Sequence, residues 1–313
     1  MAVLLLAEIE PTDVWFTEFI AQLKQQLPAL DLRIWPECGR VEEIEIVLAW
    51  LPPLGVMQRF PNLKLIISLG ASVDRILALP DLPDHIPIVR LVSDGKTQQM
   101  AEYVTLAVLL FKRQWIKYQE LMRSQRWEYL PTPNASRFTV GVLGLGALGL
   151  VTAQKLAVMG FTVRGWSRTP KTIIGVECFH AQAQFKLFLS QCQVIVCLLP
   201  LTPETEGILC DETFSALPLG AYLINVGRGK HLVETDLLTA LNSGQIAGAC
   251  LDVFETEPLP KDHPFWSDPR IIITPHIAAE GQPNDAANYT INVIHRYQTG
   301  QPLKYVVDRN SVY

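Results

Sequence analysis

The sequence predicts an α/β protein built from two doubly wound parallel sheets. Short apolar runs alternate with stretches of helical periodicity along most of the chain. After residue 138 a strand, a glycine-rich turn and a helix follow in order. The length of 313 residues also accommodates two domains, at about 100–200 residues per domain.

Composition narrows the class. Hydrophobic residues make up 49% of the chain and charged ones only 18%, which excludes a disordered polypeptide. Twenty-six Lys and Arg against 31 Asp and Glu give a net charge of −5, which argues against broad binding to nucleic acid. Cys38, Cys178, Cys192, Cys197, Cys210 and Cys250 are scattered, with neither C-x-x-C nor metal-finger spacing. Neither a disulfide framework nor a metal site is expected, and reduced thiols point to the cytoplasm. The opening MAVLLLAEIE lacks a basic leader and stops its apolar run at Glu8, so it reads as a strand rather than a signal peptide. The uncharged window 138–154 carries four glycines and meets Lys155 at once, short of a membrane span.

In the first unit, Val3–Ala7 reads as a strand and Asp13–Leu27 as an amphipathic helix. Strands follow near Leu32–Ile34, Ile46–Ala49 and Leu65–Ser68, separated by proline-marked turns. The proline- and aspartate-rich stretch 80–87 closes this unit. One long helix is expected from about Thr97 to Gln125, then a loop over Leu130–Ser136. The second unit opens with a strand at Phe138–Leu143 and a helix over Ala147–Met159. Its further strands fit Thr162–Trp166, Val194–Leu198, Ala221–Asn225, Ile246–Val253 and Ile271–Thr274. A helix over Ala286–Tyr297 and an irregular tail remain. Too poor in strands to fold alone, they are expected to pack back on the first unit. That unit is then discontinuous, 1–98 plus 283–313, around a second domain of 99–282.

The turn Gly144-Leu-Gly146-Ala147-Leu148-Gly149 follows an apolar strand and precedes a helix, the context in which G-x-G-x-x-G signals a dinucleotide. Gly144 permits the tight turn, Gly146 lets the backbone approach a pyrophosphate, and Gly149 allows close packing of helix on strand. The helix N-terminus adds free N–H groups for the phosphates. The next strand ends in Trp166-Ser167-Arg168-Thr169-Pro170-Lys171, without the Asp or Glu expected to read the ribose 2′-hydroxyl of NAD. Serine and two cations suit a 2′-phosphate, so NADP(H) is expected over NAD(H), which remains possible.

Three groups stand at the ends of later strands: Asn225-Val226-Gly227-Arg228, Asp252-Val-Phe-Glu-Thr-Glu257, and Thr274-Pro-His276. Ligands of open α/β sheets bind at that edge. Arg228, between glycines, suits a carboxylate and an adjacent carbonyl. His276 can exchange a proton near neutrality, and a carboxylate such as Glu257 beside it would favour its charged form. His231 is explained sufficiently as the start of a helical turn, and Cys250 as a small buried apolar residue. Trp127 fits core packing as well as a contact with a partner subunit.

At these residues the chain resembles the D-2-hydroxyacid dehydrogenase family, most closely its glyoxylate/hydroxypyruvate reductase A branch. The resemblance runs along essentially the whole chain. It includes SLGAS at Ser68–Ser72, QQMAEY at Gln98–Tyr103, GLGALG, WSRTPK, and LLPLTPET at Leu198–Thr205. It implies a Rossmann-like nucleotide-binding domain and a flavodoxin-like, discontinuous domain that binds substrate. It also implies that Arg228 clamps the substrate carboxylate, that His276 is the general acid and that Glu257 orients it. Gly70 and Ala71 would offer N–H groups to the carboxylate, and Trp50 would wall the pocket. Gly144, Gly146–Leu148, Gly149, Trp166, Ser167, Arg168 and Lys171 would hold the cofactor. Pro200, Thr205, Val226 and Gly227 would flank it, and Asp252 would accept from the nicotinamide carboxamide. Ser72 departs from a glycine common in the substrate loop.

The expected reaction is NADPH-dependent reduction of a small 2-oxo acid, glyoxylate or hydroxypyruvate, by a homodimer. The helix from Thr97 and the Leu130–Ser136 loop are candidate interface elements. The alternatives are an NAD-dependent member of the D-lactate or phosphoglycerate type, disfavoured by the absent ribose acid, and a non-catalytic nucleotide sensor. A formate dehydrogenase would need no proton acid, whereas Glu257 and His276 supply one.

Overall fold

The structure, a computed structural model, describes residues 1–10, 13–70 and 73–309. The chain divides into two compact units, Met1–Lys96 with Gly281–Tyr313, and Thr97–Glu280.

The first unit holds a five-stranded, all-parallel sheet of β1 (Ala2–Leu6), β2 (Asp31–Ile34), β3 (Ile44–Ala49), β4 (Leu65–Ser68) and β5 (Ile88–Arg90), in the order β2-β1-β3-β4-β5. That is the flavodoxin-like order, with its reversal between β1 and β3. All five residues of β1 are buried. Val3 and Leu5 join one core cluster, while Ala2, Leu4 and Leu6 join the other. A strand covered on both faces must be apolar at every position, which explains the unbroken run at the start of the chain. Helix α1 (Val14–Gln26), capped by the Asp13 side chain on Phe16 N, packs beside the C-terminal helix α9 (Pro283–Gln298). A short α2 (Asp74–Leu77) precedes the 80–87 stretch.

Beyond that stretch the sequence reading placed no strand. β5 is only three residues long, and its pairing of Ile66 with Ile88 depends on β4 rather than on any local period. The tail returns to it: Val307 N donates to Ile88 O at 2.8 Å, and Val306 bridges Val89 antiparallel.

The second unit holds seven parallel strands: β6 (Thr139–Leu143), β7 (Thr162–Ser167), β8 (Val176–His180), β9 (Val194–Cys197), β10 (Ala221–Asn225), β11 (Ile246–Leu251) and β12 (Ile271–Ile273). Their order, β12-β11-β10-β9-β6-β7-β8, is the Rossmann order extended by one strand. Its reversal falls between β6 and β9. Helices α3 (Asp94–Lys112), α5 (Ala147–Val158), α6 (Phe185–Leu189), α7 (Asp211–Ser215) and α8 (Glu234–Ser243) complete the winding. Edge strand β8 escaped the sequence reading because its period is faint: only Phe179 of its five residues is buried.

Two expectations are corrected here. The single helix from Thr97 to Gln125 is two, α3 and α4 (Trp115–Arg123), broken at Gln114, whose backbone is left-handed at φ 54°. Trp127 belongs to no core, being 106% exposed.

Phe188 is fully buried between Phe179 and Phe185, at ring-centroid distances of 5.9 and 6.2 Å. Phe188→Ala is expected to cost the second unit about 3–5 kcal/mol, read as a lower denaturant midpoint.

Candidate active site

The glycine turn expected to hold the nucleotide has the geometry that its spacing demands. Gly144 has φ +97°, and a Cβ there would meet the Leu198 carbonyl oxygen at 2.7 Å. A Cβ on Gly149 would lie 1.8 Å from Gly144 O, so glycine alone lets α5 sit this close to β6. Exposed Gly146 caps α5, with open space where its side chain would stand. The first intrahelical bond of α5 runs from Leu150 N to Gly146 O, so the N–H groups of Ala147, Leu148 and Gly149 project from the helix end. A free helix N-terminus at a topological switch point suits a pyrophosphate.

At the end of β7, the position that reads the ribose holds Ser167, and Arg168 and Lys171 beyond it are exposed. The Ser167 hydroxyl donates to Thr169 O at 2.7 Å, so it shapes the turn presenting Arg168. The Trp166 side chain is a core residue, 5.0 Å from Phe185, with Nε1 donating to Ala181 O. Val226 is likewise buried in the core beneath the loop. Glu204 is a neighbour that sequence reasoning missed. Its carboxyl is held low first by a Thr202 hydrogen bond and further by the charge of Arg168. Pro200 and Thr205 are joined, Thr205 Oγ1 donating to Pro200 O at 2.6 Å.

The three residues expected to act on substrate converge in the second unit. His276 Nδ1 lies 2.9 Å from Glu257 Oε2, and the other carboxylate oxygen accepts from Phe254 N at 3.0 Å. Partial burial pushes the Glu257 carboxyl up, but the His276 hydrogen bond, the Phe254 N–H and the charges of His276 and Arg228 outweigh it. The net result lies below the usual carboxylate range. Arg228 is half-buried, and its Nη1 donates to Gly227 O at 2.7 Å. His276 is exposed and has φ +58°, a left-handed conformation that costs a non-glycine residue free energy.

Asp252 sustains that conformation. It is 1% exposed. Its Oδ1 accepts from Thr274 Oγ1 at 2.6 Å and Ile277 N at 2.8 Å, its Oδ2 from Ala278 N at 2.9 Å, and its backbone oxygen from His276 N at 2.8 Å. A carboxylate offers about four acceptor positions, so roughly one is left for a carboxamide. Thr274 Oγ1 in turn lies 2.5 Å from the hydroxyl of Tyr103 on α3. Burial, foremost, pushes the Tyr103 phenol far above its ordinary range, so it stays protonated and donates. Tyr103 lies in the QQMAEY motif, the one signal that could have singled it out. Cys250 is buried, and its thiol is pushed up to about 11 by burial first, as an inert core residue requires.

In the first unit, Trp50 and Gly70 follow β3 and β4 at the C-terminal edge of the sheet, and Trp50 is 38% exposed. Gly70 N donates to Ser68 Oγ at 3.2 Å, so its N–H is engaged within its own loop. Ala71 and Ser72 lie outside the described residues.

Comparison with known proteins agrees with this architecture. The family profile described as D-isomer specific 2-hydroxyacid dehydrogenase, NAD binding domain, matches residues 105–278. Glyoxylate/hydroxypyruvate reductase A of Serratia proteamaculans is 46% identical over 296 residues, covering 93% of this chain and 94% of that protein. The crystal structure of a D-isomer specific 2-hydroxyacid dehydrogenase from Xanthobacter autotrophicus, in complex with NADPH and MES, superposes with a TM-score of 0.94. It is 42% identical and the match covers 100% of this chain and 99% of that one. An NADPH-dependent glyoxylate/hydroxypyruvate reductase from Sinorhizobium meliloti, in complex with NADP and sulfate, gives a TM-score of 0.91 at 37% identity, with the same coverage. The chain belongs to the D-isomer specific 2-hydroxyacid dehydrogenase family and, within it, groups with the relatives named glyoxylate/hydroxypyruvate reductase A.

Proposed function

We propose that this protein reduces short 2-oxo acids, glyoxylate to glycolate and hydroxypyruvate to glycerate, with NADPH. The observation that carries the reading is the Glu257–His276 pair at 2.9 Å, with the charge of Arg228 acting on the same carboxylate. The bare helix end at Ala147–Gly149 and the exposed Arg168 and Lys171, with serine where an acid would read NAD, fit an NADP dinucleotide. The names of the reductase relatives support the same substrates and cofactor.

Bound NADPH supplies the hydride equivalent that the substrate's carbonyl carbon takes up. Arg228 binds the substrate carboxylate and neutralises charge growing on the carbonyl oxygen. His276, with Nδ1 held by ionised Glu257, presents Nε2 as the donor of the proton that this oxygen takes. Asp252 keeps the imidazole in place through the 274–278 loop. Six free cysteines are consistent with a cytoplasmic protein. Among the described residues no helix is long and apolar enough to cross a membrane. Trp127, Tyr129 and Met122, all exposed, support a homodimer formed through α4 and the segment after it.

Initial rates with glyoxylate and hydroxypyruvate, with NADPH and NADH in parallel, test the reading. Rapid NADPH oxidation is expected, and cofactor binding without turnover would favour a nucleotide sensor. Arg168→Ala is expected to raise the KM for NADPH by about tenfold or more and to leave that for NADH nearly unchanged.

His276→Asn is expected to lower kcat by about 10²–10⁴-fold, with NADPH affinity retained. Arg228→Ala should cut kcat/KM about as far as loss of an oxyanion donor does, roughly 10²–10³-fold. Full turnover in either variant removes that residue from its role. Because the folded Glu257 carboxyl sits below its ordinary 4.5, the stability it contributes is complete above that pH and is lost as pH falls through the lowered value. Glu257→Gln should abolish this acid-side dependence, measured as melting temperature against pH.

A further inference from the structure

We propose that His231 is the positioning residue of Arg228: a fixed, neutral imidazole that holds the arginine's backbone and ties it to the Pro200 loop. The inference rests on the reading of Arg228 as the clamp for the substrate carboxylate.

His231 is fully buried, in a single 3-10 turn, Gly229–His231, that follows Arg228. Its Nδ1 lies 3.0 Å from Arg228 N. A backbone N–H only donates, so Nδ1 must accept and carries no proton. The proton of the neutral ring is therefore on Nε2, which lies 3.1 Å from the carbonyl oxygen of Pro200, a group that only accepts. Each ring nitrogen thus faces the partner its tautomer requires. A proton on both nitrogens would set the ring against the Arg228 N–H.

The surroundings are cut to the ring. A Cβ on Gly227 would lie 2.9 Å from Nδ1 and 3.0 Å from Cε1, so glycine at 227 makes room for the imidazole. On the other side, Asn225, fully buried at the end of β10, donates through Nδ2 to Arg228 O at 3.0 Å and accepts from Gly227 N at 3.2 Å. The N–H and C=O of Arg228 are therefore both held by buried side chains, and the guanidinium starts from a fixed, extended backbone (φ −138°, ψ 150°). The backbone around His231 has its own ties, Leu209 N to His231 O at 2.8 Å and Gly207 N to Lys230 O at 2.9 Å. Removing the ring should free Arg228 without unravelling the turn.

A double-mutant cycle tests this, using oxalate as an unreactive dicarboxylate probe of the NADPH-saturated enzyme beside glyoxylate turnover. His231→Leu is expected to weaken oxalate binding and lower kcat/KM for glyoxylate by roughly tenfold to hundredfold, the scale of a misplaced substrate-positioning group, with NADPH binding retained. His231→Asn, which keeps an acceptor near the place of Nδ1, is expected to recover part of the loss. In an Arg228→Ala background, His231→Leu should change oxalate affinity by less than about twofold, because its effect passes through the arginine. Equal losses in both backgrounds, or wild-type values in His231→Leu, would overturn the positioning role and leave the Arg228 clamp standing. Unimpaired oxalate binding in Arg228→Ala alone would instead overturn the clamp, and this inference with it. If His231→Leu fails to fold, the same cycle with His231→Asn decides, since any loss it shows must vanish without Arg228.

Discussion

One buried carboxylate holds the reactive end of the second unit together. Asp252 emerges from β11 with almost no exposure and gathers the 274–278 loop through one hydroxyl and three backbone N–H groups, counting the bond from His276 N to its own carbonyl. A left-handed histidine is costly on its own, and these bonds offset that cost. They aim the His276 ring at Glu257. Without the Asp252 side chain, the loop would lose the acceptor of Thr274, Ile277 and Ala278, and the histidine would lose its support in that conformation.

The constraint is local, yet the sheet makes it possible. In a parallel sheet every strand ends on the same edge, so β6, β9, β10, β11 and β12 deliver their following loops to one side. The glycine turn, the Pro200 loop, Arg228, Asp252 and His276 are consecutive products of that rule. Residues 26 and 31 positions apart, Asp252 with Ala278 and Pro200 with His231, become neighbours because each follows a strand end. The apolar strands beneath are buried on both faces, which keeps the edge rigid.

Electrostatics at this edge follow a division of labour. The side chains proposed to touch ligand, those of Arg228, His276, Arg168 and Lys171, are half-buried or exposed. Groups whose hydrogen bonds hold others in place are buried: Asp252, Asn225, His231 and, for the most part, Tyr103. A buried polar group has a single geometry once its bonds are made, because leaving any of them unmade costs about 1–3 kcal/mol. Burial thus turns weak individual hydrogen bonds into a rigid support for the exposed chemistry.

What the sequence by itself determined is what local pattern and chemical type can carry. The alternation of apolar runs specified both parallel sheets, the glycine spacing placed the nucleotide turn, and the residue types at strand ends marked Arg228, Glu257 and His276. Tertiary structure decided the rest, because it depended on partners far away in the chain. β5 and β8 are too short or too polar to announce themselves, and they exist by pairing with β4 and β7. The break at Gln114 gives no strong local signal. Trp166 turned out to be core, Gly70 spends its N–H on Ser68, and Tyr103 reaches Thr274 across 171 positions. His231 looked like the start of a turn. Only the fold, by setting Arg228 N on one side of its ring and Pro200 O on the other, fixed its tautomer.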